Sequence, residues 1–143
     1  IVVFVLAVFR NLKTTALILL PKIVGSAWTV GLMKIVGIQL NMANLIILPL
    51  ISGIGLVNGI HIVHRYREDP NSSVSVLSKS TGQGVVLSSL ATMIGFGSLM
   101  VADHRGIYSI GLLLTLGIGS SLLASITLLP AMLKLCYVKG WKV

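Results

Sequence analysis

Acidic residues are almost missing from this chain. Only three of its 143 residues are Asp or Glu, against eleven Lys and Arg, and charged residues of both signs make up 10%. A soluble domain is about a quarter charged, so the ordinary surface of a water-soluble globular enzyme is excluded. The three acids, Glu68, Asp69 and Asp103, all stand at or beyond the ends of apolar runs. The apolar runs hold no paired Asp, no Ser–His arrangement and no His-Glu-x-x-His, so intramembrane hydrolysis has no residues to run on. The single cysteine, Cys136, excludes an internal disulfide and reads as a small hydrophobe. Aromatic residues are few, 6%, and do not interleave with the basic ones, so the formal net charge of +8 is not a nucleic-acid footprint. No metal or other cofactor is expected.

What the chain has instead is apolar blocks of membrane length. The hydrophobic fraction is 55% and the mean hydropathy +1.01. A spanning helix needs about 20 apolar residues, and four blocks meet this: 14–36, 42–63, 82–102 and 107–135. The fold expected is therefore an all-α integral membrane bundle. The run Ile1–Phe9 rises only roughly 14 Å as a helix, about half of a ~30 Å hydrocarbon core. It is read as a partial span, which makes the chain the C-terminal piece of a longer polypeptide. Between the blocks lie Arg10–Lys13, the uncharged turn Gly37–Asn41, a polar loop over about 64–81, and the turn Asp103–Gly106. Within the loop, Val74, Val76 and Leu77 suit a short interfacial helix. Trp141 with Lys134, Lys139 and Lys142 forms an interfacial anchor.

The basic residues set the orientation. Arg10, Lys13, Arg65, Arg67, Lys79, Lys134, Lys139 and Lys142 gather on one side, with only Lys34 and Arg105 on the other. Eight against two puts the first turn, the 64–81 loop and the C-terminus in the cytoplasm. Lys22 stands about two turns inside its span and is expected to snorkel toward that face.

The polar and small residues inside the spans are the candidates for function, because lipid tolerates them only against protein or water. Gly55 and Gly59 share a helix face after Ser52 and Gly53, a spacing that allows close helix packing. Asn58, His61 and His64 recur at intervals of three and can line one stripe. Asn58 lies deep enough that its amide needs a partner. In the next span Ser88, Thr92 and Gly95 fall on one face and are expected to meet Asn58; backbone-bonded hydroxyls easing close packing are the alternative. Gly117, Ser121 and Ser125 in the last span read as packing, followed by Pro130. Trp28 and Phe96 read as ordinary lipid-facing or packing residues.

The stretch Gly53-Ile-Gly-Leu-Val-Asn-Gly-Ile-His-Ile-Val-His-Arg-Tyr-Arg-Glu68 also carries a resemblance. With Trp28–Met33, Asn41–Ile46, Gly95-Phe-Gly-Ser-Leu99, His104-Arg-Gly106, Gly111–Gly117 and Leu129-Pro-Ala131, it resembles the C-terminal membrane half of RND-superfamily transporters. Within them it is most similar to the MmpL-type lipid exporters, specifically the hopanoid-biosynthesis-associated group. The resemblance implies twelve spanning helices and two large periplasmic domains, with this chain supplying the end of helix 8 and helices 9–12. It implies proton-driven movement of an apolar, hopanoid-like lipid outward from the bacterial inner membrane. The implied partners are membrane lipids, that lipid substrate and the rest of the transporter chain, while small-residue stripes also allow copies to associate.

One departure from the family pattern matters. Where relatives have Gly-Val-Asp in helix 10, this chain reads Gly55-Leu56-Val57-Asn58-Gly59, so Val57 stands at the acid's position. Helix 11 commonly carries a Thr-Thr pair, whereas here Ala91-Thr92 leaves one hydroxyl. A membrane potential supplies about 2.3 kcal/mol per charge per 100 mV only if some group carries the proton through the field. His61 is the titratable side chain nearest that depth, although it lies about one turn nearer the cytoplasm. Asn58, His61, Ser88 and Thr92 are thus the relay or pathway candidates. Two other readings stand beside transport: a non-transporting, sterol-sensing-like scaffold, and a truncated remnant that lacks the helix 10 acid.

Overall fold

The computed structural model describes residues 12–38, 41–68 and 79–138. The run Ile1–Phe9, the loop positions Val74, Val76 and Leu77, and the tail with Trp141 lie outside the described residues. Four helices, α1 (Leu12–Val36), α2 (Met42–Glu68), α3 (Lys79–Gly97) and α4 (Arg105–Val138), form the bundle, with a 3₁₀ turn at Ser98–Val101. No strand occurs among the described residues. Stretches of each helix are long and apolar enough to span a bilayer: Thr14–Val36, Asn44–Tyr66, Gly82–Val101 and Arg105–Cys136. The chain is an all-α, multi-pass membrane protein. α2 runs five residues past Val63, so His64 and Arg65 extend the helix rather than begin the loop.

Local chemistry explains the helix ends. Gly37 adopts φ +75, a left-handed conformation that favours glycine, and the Ile38 N–H donates to the Met33 carbonyl at 2.9 Å. This six-to-one bond closes α1 and satisfies one of its free carbonyls. α2 then opens on a side-chain cap, the Asn44 N–H donating to Asn41 Oδ1 at 2.9 Å. Pro21, Pro49 and Pro130 lie inside α1, α2 and α4 without ending them. Neighbouring helices make such breaks in the hydrogen-bond ladder tolerable in a membrane.

α4 is the central element and packs on α1, α2 and α3. The bundle has two apolar clusters at its ends. Met33, Ile47, Ile51, Leu113 and Leu114 form one. Leu17, Ile18, Leu56, Val63, Leu129 and Leu133 form most of the other, which also takes in Tyr66 and Cys136. Between them lies a waist of small and polar residues, where Ser121 sits against Gly25 and Gly55. A methyl added at Gly25 would come within 2.9 Å of the Ser121 Cα, and one at Gly55 within 2.9 Å of its Oγ. In lipid, where the hydrophobic effect does not drive helices together, such close backbone approach is the main source of association.

Candidate functional site

The waist contains two hydrogen-bonded crossings. In the first, Thr29 of α1 and Ser120 of α4 share a bond of 2.6 Å between their hydroxyls. Thr29 also donates to the Gly25 carbonyl at 2.8 Å, and Ser120 lies 3.2 Å from that same oxygen. Both side chains are buried, so the pair ties α1 to α4 through groups that lipid could not satisfy. Nearer the Gly37 turn, the Asn44 Nδ2 of α2 donates to Ser109 Oγ of α4 at 3.0 Å, which pins α2 to the start of α4.

The second crossing joins α2 to α3. Asn58 is buried, and its Nδ2 donates to Ser89 Oγ at 3.2 Å. This corrects the expectation that Asn58 meets the Ser88, Thr92 and Gly95 face. α3 is turned by one residue, about 100° on a helix of 3.6 residues per turn, so Ser89 points inward. Ser88 is exposed and donates to the Val85 carbonyl at 3.1 Å, while Thr92 donates to the Ser88 carbonyl at 2.7 Å. These are the backbone-bonded hydroxyls of the alternative reading. Gly95 has no atom within 4 Å of where a Cβ would stand, so it packs against nothing described.

The other candidates separate along the same helices. Gly59 lies against Ile18 and Leu129, and Gly117 against Ile51, whose Cδ1 is 2.5 Å from where a Cβ would stand. Ser121 and Ser125 are buried as packing residues. His61 does not share Asn58's environment. It is exposed and lines a cavity of about 320 Å³ with Gly84, Val85 and Ser88. Val57 is 48% exposed on the outer flank of α2. The structure therefore brings Asn58 to Ser89 and His61 to Ser88, ties Thr92 to the Ser88 carbonyl within α3, and leaves Val57 on the outer flank. Lys22 is half-buried beside the buried Pro21.

Sequence reasoning missed Ser89, Thr29, Ser120, Asn44 and Ser109. A signal existed for Thr29 and Asn44, because a polar side chain inside a span must find a partner. Their partners stand 91 and 65 positions away, and no local pattern names them.

The fold and this site define a multi-pass membrane protein whose described residues form four packed helices, with polar crossings between them and a polar flank that no other described helix covers. The chain belongs to the MMPL family, whose profile matches residues 1–142. It is 31% identical over 139 residues to protein MJ1562 of Methanocaldococcus jannaschii, a match covering 93% of this chain and 36% of that protein. It is 32% identical over 124 residues to the hopanoid transporter HpnN of Rhodopseudomonas palustris, covering 87% of this chain and 14% of the relative. The hopanoid transporter HpnN of Burkholderia multivorans is 30% identical over 115 residues, covering 80% of this chain and 13% of the relative. The chain thus spans little more than a third of the longest-covered relative. No solved structure matches it significantly.

Proposed function

We propose that this chain is the C-terminal membrane part of an RND-type transporter that moves an apolar, hopanoid-like lipid outward from the bacterial inner membrane. The similarity to two hopanoid transporters, over 87% and 80% of the chain, carries this reading. The α2–α3 flank supports it, because His61 and Ser88 there border a cavity at the rim of the buried Asn58–Ser89 pair. A polar flank of this kind suits a pathway wall or a face met by other helices of the same protein. The charge asymmetry supports a cytoplasmic C-terminus. The chain's role is then transport rather than catalysis.

Proton coupling is the finer part of the proposal. With Val57 at the family acid's position, the proton carrier is an acid in the upstream half, assisted by Asn58, His61, Ser88 and Thr92. The test is transfer of a labelled hopanoid out of vesicles that hold the full polypeptide and an imposed pH gradient. Transport that follows the gradient and falls in Thr92→Val, with membrane insertion unchanged, is the expected result. Transport independent of the gradient would remove the proton-driven step, and unchanged transport in Thr92→Val would remove that hydroxyl from the relay. No transfer under any gradient favours a second reading, a sterol-sensing-like scaffold, whose support is Val57 itself, since valine holds no proton.

A further inference from the structure

A groove runs along the outer seam between the packed helices α1 and α4, and it changes character along its length. At the end where α1 stops and α4 begins, a cavity of about 390 Å³ is lined by Asn41, Arg105, Tyr108 and Ser109 together with Val36 and Leu112. Deeper, a slot of about 500 Å³ is lined by Trp28, Gly31, Leu32, Leu116, Gly119 and Leu123, among others. Ile35 and Thr115 of the slot stand one and three positions from Val36 and Leu112 of the cavity, so the two lie end to end.

The outer end is built for an anion. Arg105 is exposed, and its guanidinium makes no hydrogen bond or ion pair with a described residue. It stands on the side of the membrane that carries almost no other cation, so it is not part of the basic cluster that orients the chain. A guanidinium grips phosphate through two parallel hydrogen bonds, and Tyr108 beside it carries a further hydroxyl donor at the depth where tyrosines meet headgroups. Ser109 is already engaged with Asn44.

The deeper end is built for hydrocarbon. Ser120 is the slot's buried hydroxyl, and it is taken up by Thr29 and by the Gly25 and Gly117 carbonyls. The occupant therefore meets an essentially apolar wall. A Cβ at Gly31 would have no atom within 4 Å, which leaves the floor of the slot open. From Tyr108 to Leu123 α4 rises roughly 22 Å, more than half of a ~30 Å hydrocarbon core. The slot's volume falls within the roughly 300–1,000 Å³ of small-molecule sites, whereas a helix of ~10 Å diameter would rest on it without entering.

We propose that the α1–α4 groove holds one phospholipid, its phosphate on Arg105 and Tyr108 and one acyl chain in the slot beside Gly31 and Gly119. The site is independent of the transport reading: this lipid is bound, not carried. The test is native mass spectrometry of the full polypeptide released from detergent after incubation with phosphatidylglycerol. The wild-type protein is expected to retain one phosphatidylglycerol, and Arg105→Gln to lower that retention about tenfold, a loss of ~1.4 kcal/mol. Gly31→Phe puts a ring into the slot from a position where a Cβ meets no atom within 4 Å, so it is expected to lose the lipid while helix content by circular dichroism stays unchanged. Lys34→Gln, which removes the other cation of that side, is expected to bind as wild type. Equal retention in wild type, Arg105→Gln and Gly31→Phe overturns the proposal, as does an equal loss in Lys34→Gln and Arg105→Gln. Complete displacement by inorganic phosphate, with Gly31→Phe still binding, would reduce the site to a free-phosphate site and overturn it too. A photocrosslinker at position 31 is expected to capture lipid; capture of another segment of the polypeptide places a helix in the groove and overturns the proposal.

Discussion

α3 and α4 are neighbouring helices of similar composition with opposite fates. In the most apolar stretch of α4, 56% of residues are buried, against 11% in α3. α4 touches every other helix, and its small residues meet close neighbours: Gly117 against Ile51, Ser121 against Gly25 and Gly55, Ser120 against Thr29. α3 offers as many glycines and nearly as many Ser and Thr hydroxyls, yet Gly84 and Gly95 face open space, and Ser88 and Thr92 bond to their own helix. Among the described residues, the buried side-chain hydrogen bond that links it to α2 is Asn58–Ser89. Small residues in a span permit close packing without demanding it. What decides is whether a second backbone lies within reach.

Six substitutions break or sharpen this contrast, the largest expected effects on the stability of the bundle in mild detergent coming first. Leu113→Ala empties a fully buried site in the cluster around Ile51 and should cost about 3 kcal/mol, read as a shift of the reversible unfolding transition. A change below ~1 kcal/mol would show that α4 is not the packed centre. Gly117→Ala drives a methyl into Ile51 and should cost about 2 kcal/mol by overpacking, whereas Gly95→Ala on α3, with nothing near, should be neutral or slightly stabilising through helix propensity. Similar losses at the two glycines would erase the distinction between the helices.

The polar crossings give smaller effects. Hydrogen bonds between membrane helices average about 0.6 kcal/mol, so Thr29→Val should weaken the α1–α4 contact by about that much. Ser89→Ala should cost slightly more, near 1 kcal/mol, because it leaves the buried Asn58 amide without this acceptor. A double-mutant cycle between Asn58 and Ser89 should return a coupling of about 0.6 kcal/mol; additive effects would mean that the 3.2 Å contact carries no energy. The least effect is expected for Leu87→Ala on the exposed side of α3, within ±0.5 kcal/mol for this chain alone. A larger loss in the full polypeptide would mark that flank as covered by other helices.

Val57 shows the same contrast within one helix. Its neighbours Leu56 and Asn58 are buried, while Val57 is turned outward. An aspartate there would point away from the α1–α2–α4 core, so Val57→Asp should leave this packing intact and act only on whatever meets the flank. A fluorescence-detected sizing profile of the variant reads this directly, and loss of the folded species would mean that Val57 lies against packed apolar side chains.

Much was legible without coordinates. The scarcity of acids, the four apolar blocks and the placement of basic residues dictated a helical membrane bundle, because hydrocarbon leaves a backbone few other ways to satisfy its hydrogen bonds. The glycine runs marked where helices could approach, and Asn58 stood out as an amide in need of a partner. The sequence did not contain the partners. A period of 3.6 residues fixes which residues share a face but not how that face is turned, so Ser88 and Ser89 were indistinguishable until α3 was set against α2. The pairing of Thr29 with Ser120, the outward turn of Val57 and His61, and the groove from Arg105 to Leu123 depend on the rotation and crossing of helices far apart in the chain. Those are settled by the close contacts of Gly25, Gly55 and Gly117, which exist only once the bundle has formed.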